Sequence, residues 1–483
     1  MKQTFLITIA ALLSCYGFSQ NRAMNWAFGD SAGLNFATEP PLPFLSSILM
    51  YEPCASISDE TGNLLFYTNG KTLWNAEHEI MMNGNFLDNG VGTLSSNTQG
   101  VIILPDPGDT NKYYVFHKDF NFLKYTIVNM SLEDGLGLVT SKNNIISDIP
   151  FTEKLQAVRH ANGRDWWLLI ETIKEVDALN DSTNFYSLLI TPAGISEPFL
   201  LEGTILPDQE TFISIGQMKF NQQGTMLACT NGRSVNIYNF DRCSGYLSHL
   251  YTIDSIFVGN NGDLVYGLEF SSPSNKLYIT KEGAVGKTYL YQFTLDSIEN
   301  IKDTKKIIYL NSDTGIYIKY LHQLQLAVNN KIYVALTSPY NPTIQLCVIN
   351  NPNASGMACN FDTLTVNTGG RTIELGLPNM PNYNLGVMEK SGCDTIGTTA
   401  INNITNNTIQ LYPNPAHSYV YMKQAPQGIV QIHVTDIYGK EVLYVNQNGA
   451  DIINISSLSS GLYFITITQE NEMLITQKLV VER

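Results

Sequence analysis

The stretch ASISDETGNLLFYTNGKTLWN, residues 55–75, contains a pattern that recurs through most of this 483-residue chain. A short run of alternating apolar and polar residues leads into a polar turn at Gly62, and a run rich in Leu, Phe and Tyr follows. Alternation with a period of two predicts β-strands, and the Asp, Gly and Asn between the two runs predict a chain reversal. The stretch therefore predicts two strands joined by a tight turn.

Five later stretches repeat this pattern: GVIILPDPGDTNKYYVFHKD from Gly100, QAVRHANGRDWWLLIET from Gln156, QMKFNQQGTMLACTNGRSVNIYNF from Gln217, LEFSSPSNKLYITKEG from Leu268 and LQLAVNNKIYVALTSPYNPTIQLCVIN from Leu324. Their starting points lie about 45 to 60 residues apart, which is the spacing of four-stranded propeller blades. Such a sheet buries both of its faces only by packing against neighbours around a ring.

Two further segments each look like part of a blade: NWAFGDSAGLNFAT, residues 25–38, and TLTVNTGGRTIELGLPN, residues 363–379. We predict an all-β fold with seven blades over residues 21–390, the seventh closed by joining these two ends. Six blades are the alternative.

Composition and charge indicate in which compartment the protein works and which class of partner it does not bind. Charged residues make up only 15% of the chain, and the 26 tyrosines are typical of an extracellular β protein. The formal charge of −15 would repel a polyanion, so no nucleic acid partner is expected. Residues 1–20, MKQTFLITIAALLSCYGFSQ, have the charge, apolar core and small-residue exit of a signal peptide. No later run is long enough to predict a transmembrane segment.

The C-terminal region begins a different pattern. Residues 391–407, SGCDTIGTTAINNITNN, contain few large side chains and predict a linker. Residues 408–483 contain seven short strand candidates: TIQLY, YVYMK, IVQIHVT, EVLYVN, DIINI, LYFITI and LITQKLVV. Seven strands of period two predict a small immunoglobulin-like β-sandwich.

One polar constellation in the repeats is a candidate binding site. Lys219, Glu269 and Gln325 occupy the same offset in three aligned innermost strands, so they share one facing. In a propeller that facing converges on the central channel, and it predicts a polar mouth for a small solute, a peptide or a glycan. The alternative is a water-lined channel whose polar side chains simply need partners. No catalytic motif is present, and no pattern predicts a metal site or a cofactor.

The cysteine spacing leaves two alternatives open. Six cysteines follow the signal peptide, and export would place them in an oxidising compartment. A Cys347–Cys359 bridge would close the loop VINNPNASGMA between them. Alternatively, the cysteines are small buried hydrophobic residues.

The repeats also resemble a known family over nearly their whole length. The phrases WAFGDSAGLNF, SDETGNLLFYTNGKTLWN, EKLQAVRHANGRDWW, YGLEFSSPSNKLYIT and GLPNMPNY occur in the order found in secreted WD40/YVTN-like propellers of the Bacteroidetes. This resemblance implies a fold and a lineage, and it implies no catalytic chemistry.

The tail resembles the type A sorting domain of the type IX secretion system. The resemblance rests on YPNPA (412–416), VTDIYGKEV (434–442), INISSLSSGLYFITI (453–467) and QKLVV (477–481). It points to Tyr412, Pro413, Asn414, Pro415, Asp436, Gly439, Gly461, Tyr463 and Lys478 as sorting residues. It also implies two partners, the secretion machinery and a sortase-like peptidase that removes the tail, and it implies delivery to the cell surface or the medium.

Two functional hypotheses follow. The first is an exported propeller that binds an unknown extracellular protein, peptide or glycan. The alternative is an extracellular glycan-active hydrolase or lyase with Glu269 in its channel site. Two facing carboxylates would favour the enzyme, and the aligned positions supply one.

Overall fold

The computed structural model describes residues 21–87, 96–119, 122–147, 151–173, 183–201, 215–254, 264–283, 286–296, 298–313, 315–394, 410–423, 428–436, 440–448, 452–469 and 472–483. The chain divides into two compact units, with the boundary between Ile396 and Gly397. That boundary falls inside the predicted linker 391–407, of which residues 395–407 lie outside the described residues. The predicted signal peptide and Gly439 also lie outside them.

The described part of the N-terminal unit contains seven antiparallel sheets, here called blades 1 to 7 in chain order. Blade 1 comprises β1 (Asn25–Phe28), β2 (Asp30–Asn35) and β3 (Leu42–Leu49), and blade 2 comprises β4 (Ala55–Ser58), β5 (Leu64–Thr68) and β6 (Leu73–Asn75). Blade 3 comprises β7 (Val101–Pro105), β8 (Lys112–Asp119), β9 (Phe122–Asn129) and β10 (Leu138–Ser147). Blade 4 comprises β11 (Phe151–Arg159), β12 (Trp166–Ile173), β13 (Thr183–Thr191), β14 (Gly194–Ile195) and β15 (Phe199–Leu201).

The last three blades have four strands each. Blade 5 comprises β16 (Met218–Phe220), β17 (Met226–Thr230), β18 (Val235–Phe240) and β19 (Leu247–Ile253). Blade 6 comprises β20 (Leu264–Phe270), β21 (Lys276–Gly283), β22 (Lys287–Thr294) and β23 (Lys306–Asn311). Blade 7 comprises β24 (Tyr320–Leu326), β25 (Ile332–Thr337), β26 (Gln345–Ile349) and β27 (Phe361–Asn367). Short 3-10 helices span Glu133–Gly135, Ile298–Thr304, Gly315–Tyr317 and Gly356–Cys359.

The blades form a closed ring. The first strands of successive blades are neighbours from β1 through to β24. Blade 7 returns to blade 1 through Trp26 and Tyr333, whose ring centroids lie 5.6 Å apart in an edge-to-face contact. The N-terminal unit is therefore a seven-bladed β-propeller, and the predicted fold class is confirmed.

Position in the ring explains the burial patterns of the strands. All five residues of inner strand β7, VIILP, are buried, because a blade packs against a neighbour on each face. In outer strand β3 burial alternates along the second half, because only one face of the ring's edge is covered. Apolar runs therefore mark inner strands, and alternation marks outer ones.

The predicted way of closing the ring is wrong. Residues 25–49 form blade 1 by themselves, and residues 361–367 are the outermost strand of blade 7. The following residues, TGGRTIELGLPNMPNYN, leave the sheet. Pro378 and Pro381 have no amide hydrogen for a strand ladder, which is the physical reason that no blade strand forms there.

Residues 372–388, the channel segment, instead pass along the axis between the inner strands. The Leu375 amide donates to the Tyr51 carbonyl (3.2 Å), and the Asn379 amide donates to the Cys54 carbonyl (2.8 Å). Further along, the Tyr383 hydroxyl donates to the Ile103 carbonyl (2.8 Å). A Cβ atom at Gly376 would overlap the Glu52 carbonyl oxygen, so glycine is required for this close passage. The central channel is filled by the protein's own chain.

The predicted Cys347–Cys359 bridge is wrong. Both thiols are free and buried, and the loop between them is closed by backbone hydrogen bonds, such as Asn351 N to Cys359 O (2.9 Å). The disulfide joins Cys243, in the β18–β19 turn of blade 5, to Cys393, just beyond the channel segment. Its Cα atoms lie 5.6 Å apart, and it closes a loop of 150 residues.

We expect this disulfide to hold the end of the channel segment in place. Cys393→Ser should lower the free energy of unfolding of the propeller by about 2–4 kcal/mol, because a long loop gains entropy in the unfolded chain. Urea unfolding followed by tryptophan fluorescence measures this. In the double variant Cys243→Ser/Cys393→Ser, dithiothreitol should change nothing; a wild-type protein equally indifferent to dithiothreitol would contradict the prediction.

The C-terminal unit is a β-sandwich, and the seven strands in its described residues match the seven predicted candidates. They are β28 (Gln410–Tyr412), β29 (Tyr419–Lys423), β30 (Ile429–Asp436), β31 (Glu441–Asn448), β32 (Ile452–Asn454), β33 (Gly461–Gln469) and β34 (Glu472–Val481). One sheet has the order β28-β29-β32 and the other β31-β30-β33-β34. Inward-facing Val420, Ile432, Ile465 and Leu479 belong to a core of its own. The described part of the whole chain contains no helix that is long and apolar enough to span a membrane.

Candidate functional site: the channel mouth and the sorting tail

Lys219, Glu269 and Gln325 come together as their shared offset predicts. Each is the residue before the last of its inner strand, in blades 5, 6 and 7 respectively. Their apolar neighbours Met218, Leu268 and Leu324 are fully buried in the blade cores. Because side chains alternate along a strand, the polar residues then face the axis.

The three side chains satisfy one another's charges and hydrogen bonds. The Lys219 ammonium donates to Gln325 Oε1 and lies 3.4 Å from Glu269 Oε2. Glu269 also accepts from the backbone amides of Phe270 (3.0 Å) and Leu326 (3.1 Å), so it links blade 6 to blade 7. Lys219 and Glu269 are each only 3% exposed, and Gln325 is 6% exposed.

Burial decides the electrostatics of this pair. It raises the pKa of the Glu269 carboxyl and lowers the pKa of the Lys219 ammonium, because both charges are removed from water. The attraction between the two groups opposes each shift. Each partner therefore depends on the other to remain charged in the interior.

A cavity of about 160 Å³ lies above this cluster, at the end of the channel where the inner strands finish. Its rim carries side-chain amides from three parts of the chain: Asn221, Gln222, Asn330, Asn382 and Asn384. Asn382 and Asn384 belong to the channel segment, and Asn382 Nδ2 donates to the Gln222 carbonyl (2.9 Å). We call this cavity the channel mouth. Amides both donate and accept, so the rim suits a neutral ligand rich in hydrogen-bonding groups.

Sequence reasoning missed a second layer of buried amides below the channel mouth. Gln217 and Gln323 lie two residues before Lys219 and Gln325, so a period of two already gives them the same facing. Gln217 Nε2 donates to the Leu324 carbonyl (3.1 Å), and Gln323 Oε1 accepts from the Leu377 amide (2.8 Å). These bonds tie blades to each other and to the channel segment.

Asn379 is the centre of the same layer. Its Nδ2 donates to the carbonyls of Val101 (3.1 Å) and Leu155 (3.0 Å). Its Oδ1 accepts from Gln99 (3.0 Å) and Gln156 (3.1 Å). All four bonds of the amide are made in the interior, which seals the channel below the mouth.

In the sorting tail, the structure brings distant sequence motifs together. Asn414 of YPNP donates to the Lys478 carbonyl (2.6 Å) and accepts from the Val480 amide (2.8 Å). Tyr412 ends β28, and Pro413 and Pro415 flank Asn414 in the segment that follows. The motif near the start of the tail is thus fastened to the motif at its end.

The two predicted turns are also stabilised locally. The Lys440 amide donates to Asp436 Oδ1 (3.0 Å) across the DIYGK turn. The Tyr463 hydroxyl donates to the Ser459 carbonyl (3.0 Å), just before Gly461 opens β33. In β33 and β34, Gly461 pairs with Val481 and Tyr463 with Leu479, so the last strand closes the sheet.

Residues 410–482 match the family model of the secretion system C-terminal sorting domain. This match supports export to the cell surface or the medium, and handling of the tail by the type IX secretion machinery. A comparison with curated proteins finds no match.

Solved structures similar to this chain include several propellers. One is a putative 6-phosphogluconolactonase from Bacteroides fragilis (12% identity, TM-score 0.45, covering 74% of this chain and 98% of that one). Another is the periplasmic gluconolactonase PpgL of Pseudomonas aeruginosa (12% identity, TM-score 0.43, covering 73% of this chain and 98% of that one). A third is the β-propeller domain of Cps50 (Swd1) from Myceliophteria thermophila (9% identity, TM-score 0.36, covering 66% of this chain and 93% of that one). Similarities this distant transfer no activity to the present chain.

Proposed function

We propose that this protein is an exported binding module whose ligand site is the channel mouth. The observation that supports this best is the convergence of Lys219, Glu269 and Gln325 beneath a rim of side-chain amides. The buried cluster is electrically balanced and sets a rigid polar floor. The rim amides make the contacts with the ligand.

The ligand is an extracellular glycan or peptide that inserts one polar unit into the mouth. The cavity of about 160 Å³ has room for a single small group rather than for a chain. Amides of Asn330, Asn382 and Asn384 pair with hydroxyl or peptide groups, as hydrogen-bonding side chains do in ligand pockets.

Delivery follows from the two ends of the chain. The signal peptide of residues 1–20 directs the protein to the periplasm, and the sorting domain hands it to the type IX machinery of a Bacteroidetes outer membrane. A sortase-like peptidase then removes the tail, and the propeller is anchored at the surface or released. The resemblance of both regions to exported Bacteroidetes proteins supports this route.

The alternative, a glycan-active hydrolase or lyase, finds less support in the geometry. Hydrolysis of a glycoside needs two carboxyl groups on either side of the bond. Among the described residues that line the mouth, only Glu269 has a carboxyl group, and it is held by Lys219 and two backbone amides.

Substitution of a rim amide tests the proposal. The purified protein is applied to glycan and peptide arrays, and the affinity for a hit is measured by calorimetry. Asn382→Ala and Asn384→Ala should each raise Kd about fivefold, the loss of one hydrogen bond. Asn351→Ala, an exposed asparagine on the loop of blade 7, should bind like the wild type.

Two results would contradict the proposal. One is a ligand whose affinity is unchanged by both rim substitutions. The other is turnover of a glycoside or polysaccharide that is lost in Glu269→Gln, which would establish the enzyme instead.

A further inference from the structure

A second pocket, of about 620 Å³, lies at the opposite end of the channel from the mouth. Tyr320 and His322, at the start of β24, line this pocket, whereas Gln325 and Leu326, at the end of the same strand, line the mouth. The channel segment likewise enters beside this pocket at residues 372–375 and reaches the mouth at residues 380–384. The two ends are therefore separate surfaces, each with its own chemistry.

Three tyrosines contribute to the wall of this second pocket. Tyr51 precedes blade 2, Tyr320 begins blade 7, and Tyr340 lies in the β25–β26 loop of blade 7. Tyr340 is 58% exposed and Tyr51 is 40% exposed. Exposed aromatic faces around a concave site attract cations, because the ring face carries negative charge.

The charges around the pocket are negative. Glu282 and Glu374 line it, and the described lining includes no lysine or arginine. Beneath them, buried Glu52 accepts hydrogen bonds from the Tyr266 hydroxyl (2.6 Å) and from Ser96 (3.1 Å). Burial raises the pKa of Glu374, and the nearby Asp30 raises it further. Burial raises the pKa of Tyr51 as well, and Glu52, Glu374 and Glu282 add to that shift. A positively charged ligand in the pocket would be attracted by these carboxyl groups and would reduce the repulsion between them.

His322 lies beside Glu282 in the wall of this pocket. The residue is 4% exposed, and its Nε2 lies 2.7 Å from Thr337 Oγ1. Its Nδ1 has no hydrogen-bond partner, although it lies 3.2 Å from Glu282 Oε1. In the tautomer whose Nε2 donates to Thr337 Oγ1, His322 Nδ1 and Glu282 Oε1 are both hydrogen-bond acceptors. Two acceptors at that distance are both satisfied by an N–H group of a ligand.

We propose that this pocket binds an organic ammonium group, and that its natural ligand is a lysine side chain of an extracellular peptide. The ammonium donates to Glu282 and His322 Nδ1, Glu374 balances its charge, and the tyrosine rings cover its methylene groups. No group of three or more His, Cys, Asp or Glu residues in the described chain is arranged to hold a metal ion, which favours an organic cation. The overall charge of −15 raises the local concentration of such a ligand.

Calorimetric titration of the purified protein with small lysine derivatives tests this proposal. The probes are Nα-acetyl-lysine methylamide, its Nε-trimethylated form and its Nε-acetylated form. The acetylated probe keeps the same methylene chain but carries a neutral amide in place of the ammonium, and we expect it to bind at least about tenfold more weakly. The trimethylated probe keeps the positive charge but has no N–H on its side-chain nitrogen, so its Kd separates the side-chain hydrogen bond from the cation–π contact.

Substitutions in the pocket provide the second part of the test. Glu282→Gln and Glu374→Gln should each raise the Kd of the lysine probe about fivefold, because each removes one compensating charge. Tyr340→Ala should weaken binding by a similar factor of about five, and Tyr340→Phe should retain it, since both Tyr and Phe present a ring face. Glu299→Gln removes an exposed charge in the Ile298–Thr304 helix and should leave Kd unchanged.

Thermal unfolding of each variant shows whether it is folded, and exposed Tyr340 keeps the test informative even if a glutamate variant is unstable. Equal affinity for the charged and acetylated probes would overturn the proposal. So would folded variants of Glu282, Glu374 and Tyr340 with wild-type Kd, or the failure of every probe to bind at millimolar concentration.

Discussion

Deletion of residues 410–483 will abolish the arrival of this protein at the cell surface and in the medium, and will leave it in the periplasm. The expected effect is complete, because the proposed signal peptide of residues 1–20 would carry the chain only across the inner membrane. The deleted region has its own hydrophobic core and matches a sorting domain over residues 410–482. Cell fractionation and protease accessibility of intact cells, in a host with the type IX machinery, measure the outcome.

A point substitution should have the same direction of effect. Asn414→Ala removes both bonds that fasten YPNP to the last strand, the donor to Lys478 O and the acceptor from Val480 N. We expect a lower fraction of the protein at the cell surface, because loss of these bonds would loosen the fold of the tail that we propose the machinery recognises. Asn446→Ala, on exposed strand β31 of the same sandwich, is the matched control and should be exported normally. Surface display that persists after the deletion would refute the role of the tail.

Lys219→Met will destabilise the propeller by about 3–5 kcal/mol at neutral pH, because it leaves the Glu269 carboxylate buried without its ammonium partner. Unfolding in urea gives the free energy. All four tryptophans, Trp26, Trp74, Trp166 and Trp167, lie in the propeller, so tryptophan fluorescence reports on this unit rather than on the sorting domain.

The loss of stability in Lys219→Met should increase as pH rises. Burial already raises the pKa of Glu269 above its ordinary value of 4.5, and removal of Lys219 raises it further. The folded variant then binds a proton more tightly than the unfolded chain does. Its free energy of unfolding therefore falls as pH rises from the ordinary pKa of 4.5 through the raised pKa of Glu269 in the folded variant. The deficit should be smallest near pH 4.5 and largest at neutral pH.

Two controls separate the ion pair from general disruption. Lys219→Met/Glu269→Leu removes both charges and should recover much of the stability, because two apolar side chains replace a buried pair. Lys302→Met, on an exposed 3-10 helix, should change stability by less than about 0.5 kcal/mol. If Lys219→Met were as stable as the wild type at neutral pH, the pair would not be buried as described.

The repeated strands and the sandwich were predictable because their signals are local. Each of the six repeated stretches became one blade, and each of the seven tail segments became one strand. The common facing of Lys219, Glu269 and Gln325 was also predictable, since a period of two is a property of the strand itself. Because these three residues face the axis together, they all line the cavity at the channel mouth.

The partners of these residues were not predictable from local pattern. Gln99, Gln156 and Asn379 share one set of hydrogen bonds although Asn379 lies more than 200 residues from either glutamine. The pairing of Cys243 with Cys393 likewise spans 150 residues, whereas sequence spacing favoured the nearby Cys347 and Cys359. The second pocket assembles residues from blades 6 and 7, from the connection between blades 1 and 2, and from the channel segment.

By itself, then, the sequence determined six of the blades, the common facing of Lys219, Glu269 and Gln325, and the strands of the tail. Only the tertiary structure decided what fills the axis: a chain segment with two prolines and two glycines, which does not extend a sheet but fits between the inner strands. The physical reason is that alternation fixes which side of a strand a residue occupies, while the group it meets across the channel depends on ring closure, which joins residues from every part of the chain.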